Sequence, residues 1–251
     1  MRALLLAAGF GTRLRPLTDT LPKCLVPIRG QPLLDLWLES LSQAGIGPFL
    51  INSHYLAEKV SAYLDASPYA AQTRLVHEPQ LLGTAGTLLA NRAFFADEDG
   101  LLLHADNYCL ADFSAFVAAH RHRPQHCLMT MMTFRTDAPS SCGIVELDTD
   151  GVVVGFHEKV ASPPGNLANG AIYILSHALI EQLMRDFPHA ADFSTEILPH
   201  FVGRIYTHET TEAFLDIGTP ATYALAQTLK RRQTASKVGA GETDSGSAPL
   251  P

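Results

Sequence analysis

The chain has 251 residues, of which 47% are apolar and 17% charged, as in a globular protein with a substantial core. The net charge of −7, without an extended Lys/Arg-rich stripe, argues against a general nucleic-acid-binding protein. No run of 18 apolar residues predicts a membrane span, and residues 1–8 lack the pattern of a signal peptide. The 4 cysteines have no C-x-x-C spacing, so we expect a reduced, cytoplasmic protein.

Strand and helix patterns alternate through the first 135 residues. Apolar runs typical of buried strands lie at 4–6, 49–52, 74–77, 101–103 and 127–134. Segments with helical spacing lie between them, at 32–44, 56–64, 86–95 and 113–120. This alternation predicts an α/β fold: a three-layer, Rossmann-like, mixed and mostly parallel sheet covered by helices.

The pattern changes after residue 140. Alternating segments at 143–147 and 152–157 flank Asp-Thr-Asp-Gly and predict a hairpin. Further strands are expected at 169–175, 205–208 and 212–215, and further helices at 176–187, 194–201 and 220–230. We predict a single domain over residues 1–230, in which halves of about 1–140 and 141–230 share one sheet. Residues 235–251, rich in Gly, Ser, Ala and Pro, are expected to be disordered.

A loop of small residues follows the first strand and precedes three cations. Backbone N–H groups of such a turn can hold phosphates, and Arg13, Arg15 and Lys23 can neutralise them. There is no Gly-Lys pair for a P-loop, and Leu14 stands where a dinucleotide-binding turn needs its third glycine. The segment therefore predicts a nucleoside triphosphate site near the start of the chain.

Two carboxylates lie at the ends of predicted strands. Asp106 follows the buried run 101–103, and Asp216 follows the strand at 212–215. Either could simply cap a helix, but two carboxylates at strand ends also make an oxygen-rich site of the kind that Mg²⁺ favours beside phosphates. A second metal hypothesis is a zinc site at His120, His122, His126 and Cys127. We favour the alternative, in which these residues lie at a solvated helix end.

The run from Gly9 to Thr18, G-x-G-T-R-x-x-P-x-T, followed by Pro22-Lys23, resembles the signature of the sugar-1-phosphate nucleotidyltransferases. The resemblance extends over about residues 2–228. It implies the nucleotide-diphospho-sugar transferase type of fold. It also implies a reaction in which a nucleoside triphosphate and a sugar 1-phosphate give a nucleotide-sugar and pyrophosphate.

The resemblance also implies roles for individual residues. Arg13 and Lys23 would be catalytic, Arg13 at the β- and γ-phosphates and Lys23 at the α-phosphate. Asp106 and Asp216 would hold Mg²⁺, although His104-Ala105 departs from the family's usual Asn-Gly or Gly before the first metal aspartate. The nucleotide-binding residues would be Leu6, Ala7, Ala8, Gly9, Gly11, Thr12, Arg13, Glu78, Gly83 and Thr84.

For the second substrate, the resemblance implies that Glu158 binds a sugar hydroxyl and Lys159 the sugar phosphate. Gly143 and Asn169 would complete this sugar-phosphate site. The segment NGAIY at 169–173 exchanges the family's Ala and Gly, and Val160 replaces a common Pro, so the sugar specificity stays open.

The resemblance implies that the segment LLGTAGTL at 81–88 lies against the nucleobase, and its sequence is similar to that of guanylyltransferases that act on mannose or heptose phosphates. We therefore expect GTP as donor, and a role in nucleotide-sugar and polysaccharide biosynthesis. UTP, CTP or dTTP with another sugar phosphate is the alternative within the class. From another class, an inactive regulatory subunit that binds nucleotide-sugar would be expected to have lost one of Arg13, Lys23, Asp106 and Asp216. The expected partners are the two substrates, without nucleic acid or membrane, and a homodimer is left open.

Overall fold

A computed structural model of the chain describes residues 1–230, which form 13 strands and 7 α-helices. The strands are β1 Arg2–Leu6, β2 Pro27–Ile28, β3 Gln31–Pro32, β4 Phe49–Ser53, β5 Thr73–His77, β6 Gly100–His104, β7 Asn107–Cys109, β8 Met129–Arg135, β9 Gly143–Leu147, β10 Val153–Glu158, β11 Leu167–Leu175, β12 Ile205–Glu209 and β13 Phe214–Asp216. The helices are α1 Leu33–Gln43, α2 Ala57–Asp65, α3 Gly83–Ala90, α4 Phe113–Arg121, α5 His177–Asp186, α6 Phe193–Glu196 and α7 Pro220–Thr228. The disorder expected at 235–251 lies outside the described residues.

Nine strands form one sheet, which confirms that both halves of the chain share it. Its order is β10-β9-β11-β6-β1-β4-β5, and β8 pairs with both β11 and β12. Strands β6, β1, β4 and β5 are parallel, whereas β11 runs antiparallel to β6, β8 and β9. The parallel strands direct their carboxyl ends to one edge, where the polar motifs of the amino half begin.

Alternation along the central strands gives each face of the sheet its own core. In β1, Leu5 packs with Trp37 of α1 and Phe113 of α4. Its neighbour Leu4 faces the other way and packs with Leu88 of α3. Side chains of a strand point alternately to opposite faces, so continuous apolar runs make a sheet buried on both sides. The predicted three-layer α/β fold is confirmed.

A two-stranded sheet outside the main one joins distant parts of the chain. β7 pairs antiparallel with β13, and Asn107 lies opposite Asp216. The short β7 follows Asp106 directly and was not predicted, because three residues give no readable periodicity. The pairing places the two candidate metal ligands at the same end of this ladder.

Predicted helices differ from the structure mainly at their ends. The helix expected at 86–95 is α3, which begins at Gly83 and is followed by a separate 3-10 turn at Arg92–Phe95. The helix expected at 194–201 is the short α6 and then a 3-10 turn at Leu198–Phe201. Within residues 1–230, every helix is too short or too polar to cross a bilayer.

Candidate active site

The loop after β1 is held in shape by a buried hydroxyl. Gly11 has a φ of 64°, and Thr18, which is fully buried, donates from its Oγ1 to the carbonyl of Gly11 at 2.7 Å. A Cβ on Gly11 would lie 3.0 Å from the Thr18 methyl group. Both the left-handed backbone and the close approach require glycine here. The sequence from Gly9 to Thr18 therefore builds one compact turn.

Lys23 joins the two candidate metal carboxylates. Its Nζ donates to Asp106 Oδ2 at 2.9 Å and to Asp216 Oδ1 at 3.1 Å. The lysine side chain is 6% exposed, that of Asp106 31% and that of Asp216 54%. The structure buries the lysine in a short 3-10 turn, Lys23–Leu25. One cation thus already lies where the two carboxylates converge.

Arg13 reaches the same cluster from the other side. Its Nη2 donates to Asp216 Oδ2 at 3.2 Å, and both side chains are well exposed. A Cβ built on Gly218 would lie 2.8 Å from the guanidinium carbon, so the guanidinium packs directly on this glycine. Because Gly218 has no side chain, the Arg13 guanidinium can occupy the space beside it. This contact explains why the residue two positions after Asp216 is a glycine.

Neighbouring charges favour the ionised form of Asp106. Burial opposes ionisation of Asp106, but the ammonium of Lys23 and the nearby His104 hold the pKa of that carboxyl below its usual range. Burial, helped by the negative charge of Asp106, raises the pKa of the Cys24 thiol to about 12. Cys24 is thus a neutral core residue and not a thiolate nucleophile.

A cleft opens over the cluster. Its walls come from the loop after β1, from Lys23 and from the ends of β6 and β13, and they consist of Phe10, Gly11, Thr12, Arg13, Leu14, Lys23, Asp106 and Gly218. The structure therefore brings together the four residues for which the sequence predicted catalysis or metal binding.

A buried polar network lies beneath the loop after β1. Asn52 Oδ1 accepts from the backbone N–H of Ala7 at 2.7 Å, and Asn52 Nδ2 donates to Glu78 Oε1 at 3.0 Å. Thr87 Oγ1 donates to the same Glu78 oxygen at 2.6 Å. Glu78 Oε2 accepts from the backbone N–H of Leu82 at 3.1 Å. Glu78 was predicted from the sequence, whereas Asn52 and Thr87 were not. The available signal for Asn52 was a polar residue within the otherwise apolar run of β4.

The predicted base-contacting segment packs against the start of α6. Gly83 has a φ of 79°, and a Cβ there would lie 2.3 Å from the carbonyl oxygen of Ala191. Thr84 Oγ1 accepts from the backbone N–H of Phe193 at 2.7 Å. Gly83 is therefore required by backbone contact, and the hydroxyl of Thr84 has a partner inside the protein.

The hairpin of β9 and β10 gathers three residues predicted for the sugar side. Gly143 lies opposite Glu158, and a Cβ on Gly143 would lie 2.6 Å from Glu158 Oε2. Lys159 Nζ lies 3.2 Å from Glu158 Oε1, with the lysine side chain 65% exposed. Lys159 has a φ of 49°, which turns the chain out of β10. Its ammonium is thus available to a ligand from solvent.

Asn169 lies on the neighbouring strand β11, next to an irregularity in its pairing with β8. Its Nδ2 donates to the hydroxyl of Tyr173 at 2.8 Å, and its Oδ1 accepts from the N–H of Ala171 at 2.9 Å. Ala171 has a φ of 52°, a left-handed conformation that glycine adopts at lower cost. The exchange of Gly and Ala noted in the sequence thus puts alanine at the strained position.

The candidate residues therefore form three groups: the cleft around Lys23, the network around Glu78, and the hairpin around Glu158. No hydrogen bond or ion pair of the described residues joins the hairpin to the cleft.

The zinc hypothesis finds no cluster to support it. His120 Nδ1 lies 2.8 Å from Thr130 Oγ1, and its Nε2 lies 3.2 Å from Asp99 Oδ2. Through residues 1–230, no three side chains of His, Cys, Asp and Glu gather as a metal site would require. The pair of carboxylates at Lys23 remains the candidate for a metal completed by phosphates.

Comparisons with known proteins identify the family of the chain. The nucleotidyl transferase family model matches residues 2–233. The chain is 30% identical over 234 residues to the mannose-1-phosphate guanylyltransferase catalytic subunit beta of Drosophila pseudoobscura pseudoobscura, covering 91% of this chain and 62% of that protein. It is 31% identical over 221 residues to a glucose-1-phosphate thymidylyltransferase of Streptomyces griseus, covering 87% and 58%. The chain thus spans about three fifths of the length of these relatives.

A solved structure of similar length also matches. HddC from Yersinia pseudotuberculosis, complexed with GMP-PN, superposes with a TM-score of 0.74 at 27% identity, covering 90% of this chain and 97% of that one. The family model spans nearly the whole described chain, and the relatives are sugar-1-phosphate nucleotidyltransferases. The chain belongs to the nucleotidyl transferase family.

Proposed function

We propose that the protein transfers a nucleotidyl group from a nucleoside triphosphate to a sugar 1-phosphate, giving a nucleotide-sugar and pyrophosphate. The observation that carries this proposal is the cluster in which Lys23 joins Asp106 and Asp216 while Arg13 holds Asp216 from the cleft side. Two cations and two carboxylates beside a glycine turn suit a triphosphate, and the family membership supports the same reaction.

The reaction needs no covalent intermediate on the protein. A phosphate oxygen of the sugar 1-phosphate attacks the α-phosphorus, the bond from that phosphorus to the bridging oxygen breaks, and pyrophosphate leaves in line. Catalysis then rests on positioning and on charge neutralisation. We assign Arg13 to the β- and γ-phosphates, and Lys23 to the α-phosphate, where negative charge develops.

Asp106 and Asp216 have the chemistry of a magnesium site. Their oxygens converge on a single cation, the Nζ of Lys23, and both are hard carboxylate donors. We propose that these two residues hold Mg²⁺, which when bound supplies positive charge to the phosphate oxygens. Lys23 must then leave at least one carboxylate to reach a phosphate, and its long side chain permits this movement.

We propose GTP as the donor and a mannose or heptose 1-phosphate as the acceptor. The segment at 81–88, the mannose-1-phosphate guanylyltransferase relative and the HddC structure with GMP-PN support this choice. On the acceptor side, Lys159 would bind the phosphate and Glu158 a hydroxyl, with Gly143 and Asn169 shaping the pocket. Thymidylyl transfer to glucose 1-phosphate is the second candidate, favoured by the comparable identity to the Streptomyces griseus protein.

The test is a matrix of GTP, ATP, UTP, CTP and dTTP against mannose, heptose, glucose and amino-sugar 1-phosphates, read by pyrophosphate release with Mg²⁺. We expect pyrophosphate to be released only when both substrates are present, and at the highest rate with GTP. Fastest release with dTTP and glucose 1-phosphate would select the second candidate. If nucleotide-sugars bind but no pair of substrates releases pyrophosphate, the chain is an inactive regulatory subunit.

A further inference from the structure

Two loops proposed to hold the triphosphate are connected through the interior. The loop after β1 begins with Ala7, whose N–H donates to Asn52 on β4. The segment predicted to lie on the base includes Leu82, whose N–H donates to Glu78 after β5. Asn52 and Glu78 bond directly to each other, and Thr87 on α3 bonds to both. Four elements thus meet in one hydrogen-bonded network.

Glu78 uses its carboxylate within this network. The residue is 3% exposed, and both of its oxygens accept hydrogen bonds from protein groups. Among residues 1–230, no Lys, Arg or His forms an ion pair with it. A buried carboxylate without a cation depends on every donor that it has, so the loss of one is costly. Glu78 therefore faces the protein interior and not the cleft.

The amide of Asn52 has a single workable orientation. Its Oδ1 must face the N–H of Ala7, and its Nδ2 must face the acceptors Glu78 Oε1 and Thr87 Oγ1. The Asn52 side chain is only 3% exposed, so bulk water cannot take the place of these hydrogen-bond partners. The network therefore fixes the backbone of Ala7 relative to that of Leu82.

We propose that Asn52 and Thr87 are positioning residues of the nucleotide site, which act through Glu78 to set the phosphate-binding turn and the base-contacting segment at one fixed separation. Neither side chain touches the substrate. The inference rests on the proposed function for its kinetic consequence, but its structural content, two backbone amides held by buried side chains, can be measured without turnover.

The sharpest variant is Thr87→Val, which keeps the shape of the side chain and removes the hydroxyl that donates to Glu78. We expect the KM for the donor triphosphate to rise about tenfold, as for a lost hydrogen bond to a buried charged group, with kcat and the KM for the sugar phosphate within about twofold. Thr87→Ser retains the hydroxyl and should restore the donor KM to within about twofold of wild type.

The matched control is Thr133→Val. Thr133 is also fully buried, but its hydroxyl has no hydrogen-bond partner among the described residues. The same change of side chain there should leave the donor KM unaltered. An equal rise in KM for Thr133→Val and Thr87→Val, or no rescue by Thr87→Ser, would overturn the positioning role.

Site-resolved amide exchange by NMR on the protein without substrates supplies the second readout. Thr87→Val should speed exchange at Leu82 by about tenfold or more relative to wild type, and Asn52→Ala should do so at Ala7. Unchanged exchange at Leu82 in folded Thr87→Val overturns the inference, whatever the kinetics. If wild type releases no pyrophosphate with any substrate pair, the proposed function fails while the exchange result still decides this inference.

Discussion

Lys23 and Asp106 form an ion pair of 2.9 Å across 83 residues of sequence, and the lysine is almost completely buried. A buried ammonium is costly unless charged partners surround it, and Asp216 provides the second. In the protein without ligands, Lys23 therefore pairs with both carboxylates that are proposed to hold Mg²⁺. If metal and triphosphate bind here as proposed, they would replace the contacts that Lys23 makes with these carboxylates.

Lys23→Met should lower kcat on the order of 10²-fold or more, because a charge that acts mainly in the transition state is lost. It should also lower the melting temperature in EDTA, since Asp106 then loses its ion pair with Lys23 and Asp216 keeps only the exposed one with Arg13. Steady-state kinetics and thermal denaturation measure the two effects. Lys230→Met, at an exposed lysine after α7, is the control and should change neither. A near wild-type kcat for Lys23→Met would remove Lys23 from the reaction.

Asp106→Asn and Asp216→Asn should each reduce turnover on the order of 10²-fold or more, because the amide keeps the shape but removes a charge from a hard-cation site. Each should also weaken binding of Mn²⁺, measured by electron paramagnetic resonance without substrates. The control Asp150→Asn changes an exposed residue of the hairpin turn. Full activity of wild type in EDTA would refute the metal assignment.

Lys159→Ala should raise the KM for the sugar 1-phosphate about tenfold or more and leave the KM for the triphosphate nearly unchanged. The reason is its partner: the ammonium pairs with Glu158, and among the described residues it forms no ion pair with Asp106 or Asp216. An exposed ion pair contributes about 0–1 kcal/mol, so the melting temperature should barely move. A selective rise in the triphosphate KM would reverse the assignment of the two substrates.

Ala171→Gly should stabilise the protein, because Ala171 lies at a φ of 52° in a left-handed conformation. We expect a gain on the order of 0.5–1 kcal/mol in the free energy of unfolding. This is the backbone strain that glycine relieves, minus the conformational entropy that glycine adds to the unfolded chain. Urea denaturation measures it. Ala168→Gly, in the same strand but without a positive φ, should instead destabilise. Loss of stability in both variants would show that Ala171 is not strained.

Acid should destabilise the protein partly through His120. Burial lowers the pKa of this imidazole, although Asp99 opposes the effect. The imidazole therefore binds a proton more readily in the unfolded chain than in the folded one. Its contribution to the free energy of unfolding is complete above about pH 6.5 and decreases as the pH is lowered below that value. Between about pH 7.5 and 5.5, wild type should lose more stability than His120→Gln. Equal losses in urea denaturation would contradict this.

Most helices and strands could be predicted because each one is encoded by the pattern of apolar residues within its own segment. The apolar run of β6 and the helical spacing of α1 can be recognised within their own segments. The antiparallel position of β11 between β6 and β8 was not predicted, and neither was the pairing of β7 with β13. Pairings between distant segments depend on the whole packing of the chain and leave little trace in either segment.

The candidate site divides in the same way. Arg13 and Lys23 were identified from the motif that ends at Lys23, and Asp106 and Asp216 from their positions after predicted strands together with the family resemblance. The structure brings the four residues together. Nothing in the spacing showed that Lys23 would be buried, since burial arises from the carboxylates that surround it. Asn52 and Thr87 were missed because a single buried amide or hydroxyl has no motif, and only the geometry shows which groups it satisfies.

The place of β11 in the sheet bears on how the chain emerges during synthesis. β6 has β1 on one side and β11 on the other, and β11 begins only at Leu167. Until that segment leaves the ribosome, the all-leucine centre of β6 presents an open row of N–H and C=O groups beside an apolar surface. Such edges pair readily with other chains. We therefore expect nascent chains that stop between β6 and β11 to be the ones most in need of a chaperone.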